Sequence, residues 1–83
     1  MYNVIDGVFI VKNVKIKIKD GEEYITLQSL LKLTGVIDTG GMAKIYLANN
    51  EVLVNSELEN RRGRKLYPND IVEVEDLKVT VTR

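Results

Sequence analysis

The chain has 83 residues, of which 45% are hydrophobic and 29% charged, and its 12 Lys and Arg balance its 12 Asp and Glu. That length makes one domain with a modest core, and no apolar run approaches the roughly 20 residues of a membrane-spanning helix. Cys and His are both absent; disulfides, thiolate metal sites and Cys nucleophiles are excluded, and with the commonest general base also missing, an enzyme or a metal protein is disfavoured.

The first residues, MYNVIDGVFIV, carry no basic n-region and no small-residue cleavage site, so a signal peptide is not expected and the protein is read as cytoplasmic. Val8 to Val11 is a short apolar run. Val14, Ile16 and Ile18 then alternate with Lys15, Lys17 and Lys19, the period of a strand with one solvated face. Lys12-Asn13 is the expected turn of a hairpin between the two runs. The three lysines read as a solvated strand face that also blocks edge pairing, in preference to a binding stripe.

Asp20-Gly21 marks a turn. Thr26 is placed to cap a helix over residues 27–34, closed by Gly35, with Leu27, Leu30, Leu31 and Leu33 on its buried side. Thr39 opens a second helix, expected over 40–48, with Met42, Ile45 and Tyr46 at core spacing. Asn49-Asn50 ends it, Asn being second to Gly at a left-handed C-terminal position. Strands follow at 52–54, at 71–74 and over Leu77, Val79 and Val81, with turns at 55–57 and at Tyr67-Pro68-Asn69-Asp70. Two helices flanked by short strands define an α+β class, with the helices on one face of a small, mostly antiparallel sheet. The expected core is Leu27, Leu30, Leu31, Ala43, Ile45 or Tyr46, Leu47, Val52, Val54, Ile71 and Val74.

Zero net charge conceals an uneven distribution. Arg61, Arg62, Arg64 and Lys65 form a basic run around Gly63, and Asp70, Glu73, Glu75 and Asp76 follow as an acidic edge. Arg is planar, permanently charged and able to grip a phosphate through two parallel hydrogen bonds. The competing reading is a solvated loop whose charges pair with Glu57 and Glu59. A second candidate is Thr39-Gly40-Gly41, where free N–H groups and absent side chains admit an anion. Lys44 lies about a turn further on, and Lys32 is a weaker candidate. Tyr46 and Tyr67 are possible base-stacking residues but read first as packing. No cofactor or metal site is expected.

The order of signals from Thr26 to Glu75 resembles the RNA-binding domain named after ribosomal small-subunit protein four, the S-four domain. The resemblance rests on Leu27, Leu31 and Gly35, then Thr39 and Ala43, then Val52-Leu53-Val54-Asn55, then Asp70-Ile71-Val72-Glu73-Val74. The stretch ENRRGRKLYPND is closer still to the stand-alone, YaaA-like members. The resemblance implies a non-catalytic protein of αL-type fold that binds structured RNA, with ribosomal or transfer RNA as candidates. It implies no membrane association and no small-molecule cofactor. Family members often carry Arg where this chain has Thr26 and Gly40, and Gly where it has Asn50 and Ser56. The expected phosphate contacts therefore move to the 61–65 loop. Residues 1–22 have no counterpart in the motif and are read as a β-hairpin extension of the sheet, with 23–83 as the S-four-like domain. The alternative is a protein-interaction module of a ribonucleoprotein or replication assembly, using the acidic edge.

Overall fold

The computed structural model describes residues 11–83. Strand β1 (Lys12–Lys17) precedes a short strand β2 (Ile25–Thr26) and helix α1 (Leu27–Leu33). A 3-10 turn (Gly40–Met42) runs into helix α2 (Ala43–Asn49). Strands β3 (Val52–Val54), β4 (Glu57–Leu58), β5 (Lys65–Leu66), β6 (Ile71–Val74) and β7 (Leu77–Thr82) complete the chain. Five strands form one sheet in the order β1-β7-β6-β3-β4, and β2 pairs with β5 in a separate ribbon. Every pairing is antiparallel except β1 with β7. The expected class, two helices with a mostly antiparallel sheet, is therefore the one adopted. No helix among the described residues is long and apolar enough to cross a membrane.

The turn expected at Lys12-Asn13 needs correction. Lys12 and Asn13 are not a turn. They are the first residues of β1, in register with Leu77 and Lys78. The run from Val8 to Ile10, the hairpin's other arm, lies outside the described residues. Lys15 and Lys17 point to solvent from this edge strand, while Val14 and Ile16 pack toward the core and Ile18 is fully buried.

Local chemistry sets the helix ends. Thr26 Oγ1 accepts the Ser29 N–H at 3.2 Å, satisfying one of the free donors of α1. At the other end Gly35 takes a φ of 84°. The Val36 N–H reaches the Leu31 carbonyl at 3.0 Å and the Gly35 N–H reaches Lys32 at 3.1 Å, the paired closure that a left-handed glycine permits. The second helix departs from expectation at both ends. Its first turn is 3-10, because two glycines are poor helix formers, and Thr39 makes no side-chain capping bond there. Asn50 is extended, with φ of −137°, rather than left-handed. Asn49 and Asn50 instead donate their side-chain amides to the carbonyls of Ile45 and Tyr46, at 2.8 and 3.0 Å.

The core is one cluster. Leu27, Leu30, Leu31, Ala43 and Leu47 of the helices meet Val52, Val54, Val72, Val74, Val79 and Val81 of the sheet, and Ile18, Ile37 and Leu66 belong to the same buried cluster. Val72 and Val74 face inward, so Ile71 is only half-buried; side chains two apart share a sheet face. Tyr46 also packs against the core while half-buried. Leu33 and Ile45, both placed inside by helical spacing, are 64% and 68% exposed, and Met42 is exposed too. Each helix is seven residues long, too short for all its apolar positions to reach the sheet.

The turns explain the sheet's register. Asn55 and Ser56 both take positive φ, 51° and 71°, as a two-residue turn linking β3 to β4 requires. Asn55 also spans two strands: its Nδ2 donates to Asp70 Oδ1 at 3.0 Å, and its Oδ1 accepts the Ile71 N–H at 3.0 Å. Asn55→Ala removes both bonds and an Asn that tolerates positive φ. It is expected to lower stability by about 2 kcal/mol, read as a thermal midpoint roughly 10 °C lower.

Candidate nucleic-acid interface

The basic run sits on a rigid base. Just after β4, Glu59 turns inward; its N–H donates to the Val52 carbonyl at 2.9 Å, and the residue is only 8% exposed. A carboxylate in that position needs partners, since unpaired buried charge is costly. Arg61 supplies three of them: its backbone N–H at 3.0 Å and Nε at 2.9 Å bond Glu59 Oε2, and Nη2 at 2.9 Å bonds Oε1. Arg64 Nη1 adds a fourth contact, at 2.7 Å to Oε1. The Arg61 hydrogen bonds outweigh burial and hold the Glu59 carboxyl well below the usual carboxylate range. The same contact raises Arg61.

The loop is also strapped to the first helix. The N–H groups of Leu27 and Gln28, free donors of the first turn of α1, donate to the carbonyls of Arg64 and Arg62, each at 2.9 Å. The β2–β5 ribbon continues the attachment, pairing Thr26 with Lys65 and Ile25 with Leu66. Backbone and carboxylate together tie the loop down, with the side chains of Arg61 and Arg64 held on the buried Glu59.

The four cations are not equivalent. Arg61 and Arg64 are oriented by Glu59, as the pairing alternative anticipated for that residue. Arg62 is exposed and has no ion-pair partner among the described residues. The Lys65 ammonium stands 4.9 Å from the centroid of the Tyr24 ring, within cation–π range. The Tyr24 and Tyr67 rings lie 5.9 Å apart, tilted by 56°. A shallow depression lined by Arg61, Gly63, Arg64 and Lys65 opens at the loop's surface.

The Thr39-Gly40-Gly41 entrance adjoins this loop through Gln28. A Cβ at Gly40 would come within 2.5 Å of Gln28 Nε2, so the side chain whose own N–H binds Arg62 lies against that glycine. Lys44 is exposed on α2. Lys32 belongs elsewhere: it lines a groove with Lys17 and Lys19 between the end of β1 and α1. Glu59 was named in the sequence as a pairing partner of the loop; its burial and its four hydrogen bonds from the loop were not legible there.

The acidic edge is partly consumed by the fold. Asp70 accepts from Asn55 and from the Tyr67 N–H at 2.8 Å. Glu73 stands opposite Lys78. Glu75 accepts the Tyr46 hydroxyl at 2.7 Å, and burial together with Glu75 pushes that hydroxyl above its ordinary range.

The chain is a domain of two short helices and a small, mostly antiparallel sheet, with an arginine-bearing loop tied to the first helix. The chain belongs to the S4 domain family, whose pattern it matches over residues 16–82. It is similar to the probable ribosome maturation protein RlbA of Bacillus subtilis, with 62% identity over 53 residues, 64% of this chain and 75% of that protein. Its fold is similar to the solution structure of YbcJ from E. coli, described as revealing an RNA-binding motif. That likeness covers 99% of this chain and all of YbcJ, at 24% identity and a TM-score of 0.59.

Proposed function

We propose that this protein is a non-catalytic cytoplasmic binder of structured RNA that grips backbone phosphates with the 61–65 loop. Arg61, Arg62, Arg64 and Lys65 are the principal contacts. Thr39, Gly40, Gly41 and Lys44 flank them, and Lys32 extends the surface. The observation that carries this reading is the anchoring of the loop by Glu59 and by the first turn of α1. Arg61 and Arg64, oriented by Glu59, lose less entropy when their remaining N–H groups meet a phosphate than free side chains do. The names of the similar proteins, ribosome maturation and RNA binding, agree with it, and ribosomal RNA is the substrate favoured. Phosphate and shape recognition suits folded RNA, whose deep major groove hides its base edges.

Anisotropy titration of a labelled RNA hairpin and of duplex DNA of equal length tests the proposal. RNA is expected to bind more tightly, with affinity falling steeply as salt rises. Absence of RNA binding would turn attention to a protein partner instead. The entrance has its own test. A Cβ at Gly41 meets only Thr39 Oγ1, at 3.9 Å, so Gly41→Val has room. It is expected to change stability by less than about 0.5 kcal/mol while weakening RNA binding roughly fivefold, the worth of one hydrogen bond of about 1 kcal/mol. Undiminished binding would show that the entrance serves the fold alone.

A further inference from the structure

The groove between the end of β1 and helix α1 is separate from the loop and has a volume of about 520 Å³, within the range of about 300–1,000 Å³ typical of ligand pockets. Lys17, Lys19 and Lys32 stand around it, and the one acid lining it is Glu22. Lys17 also approaches Asp20, at 3.9 Å with both side chains largely exposed, a contact too weak to neutralise it. Apolar surface comes from Tyr24, Ile25 and Leu33. Leu33 is an exposed leucine that the core does not use, and a solvent-facing leucine beside three lysines suits a ligand that is flat, apolar and anionic at its edge. Tyr24 belongs to both places: it lines the groove, and its ring carries the ammonium of Lys65 from the basic loop.

We infer that this groove holds unpaired nucleotides of an RNA strand that leaves the helical stem gripped by the loop, a base stacking at Tyr24 and Leu33 while Lys17, Lys19 and Lys32 meet the phosphates. The inference rests on the RNA-binding reading of the loop and extends it to single-stranded flanks. Stacking at an aromatic ring accepts every base, so the groove selects for an unpaired strand rather than for a sequence. Lys65 marks the path: a chain held at the loop passes directly over Tyr24 into the groove.

The test uses the full chain and two RNA hairpins sharing one stem, one blunt and one with a short single-stranded tail at either end. The tail is expected to tighten binding about tenfold, as stacking of one base does. Tyr24→Leu is expected to abolish that gain and leave blunt-stem affinity within about twofold. Because Tyr24 is half-buried, the exposed pair Lys19→Ala and Leu33→Ala serves as a second variant with the same expected loss of the tail's gain. If the blunt stem binds and the tail adds nothing in the unsubstituted protein, the groove is not a nucleotide site, although the loop reading stands. If a tail gain survives both variants, the nucleotides lie elsewhere and the assignment is wrong. If neither hairpin binds, both readings fall together.

Discussion

Alanine at Arg61, Arg62, Arg64 and Lys65, in a chain that also carries Glu59→Gln, is expected to remove most affinity for structured RNA while preserving the fold. The fifth substitution is essential. With the four cations gone, Glu59 would keep only the Arg61-position backbone N–H and sit as a buried, nearly unpartnered carboxylate. That state costs about 3 kcal/mol or more, and a loss of binding would then report unfolding. Glu59→Gln removes the charge and keeps a side chain able to hydrogen-bond. In that background each lost phosphate contact lowers the slope of log affinity against log salt by about 0.7 to 0.9. Loss of three or four contacts therefore flattens the slope by about 2 to 3.6 units. Lysine at the three arginine positions is expected to keep much of the slope and lose affinity, because Lys lacks the two-pronged grip.

Glu59 by itself is the second large effect. Glu59→Ala deletes the acceptor of four hydrogen bonds and frees the loop from its base. Bonds to a charged group are worth about 1.5–3 kcal/mol, but Arg61 remains largely solvated, so a net loss of about 2 kcal/mol is expected. Thermal melting should show this as a midpoint roughly 10 °C lower. The pH dependence follows from the same contact. The carboxyl's folded value is depressed from an ordinary value of 4.5, so its contribution is fully present above about pH 4.5 and declines as the pH falls toward the lowered value. The unsubstituted protein should therefore lose stability on acidification below that point. Glu59→Gln should lack this component, which a series of melts across acid pH would reveal. Identical acid profiles for the two proteins would show that the clamp contributes nothing to stability.

These predictions turn on a residue that sequence pattern undervalued. The helix signals were legible because each is local: Thr26 caps within three residues, and Gly35 closes α1 through its own positive φ. The Asp70-Ile71 start of β6 was legible for similar reasons, although its inward face began at Val72. Asn50 was misread because an Asn can end a helix in two ways, and here its side chain does the capping while its backbone extends. Lys12-Asn13 resembled a turn until parallel pairing with β7 carried the strand through it, a contact across 65 positions that no local pattern contains. Leu66 was overlooked because a lone apolar residue in a polar stretch gives no periodicity; it is buried where β5 meets β2.

The site was half legible for the same physical reason. The arginine run declares itself by composition, but which arginines are tethered depends on where Glu59 points, and that is decided by β3 and β4. The groove's Tyr24 and Leu33 carry no motif at all. They join Lys17 and Lys19 in one groove only when the end of β1 and helix α1 lie alongside each other.

Backbone amide shifts of the full chain, followed by NMR during titration with a structured RNA hairpin, test the central claim most directly. The largest changes are expected at residues 61–65, at Gln28 whose N–H bonds the Arg62 carbonyl, and at Gly40 and Gly41 beside it, with Glu73 to Asp76 undisturbed. Changes centred on Glu73 to Asp76, with the 61–65 loop silent, would contradict the claim.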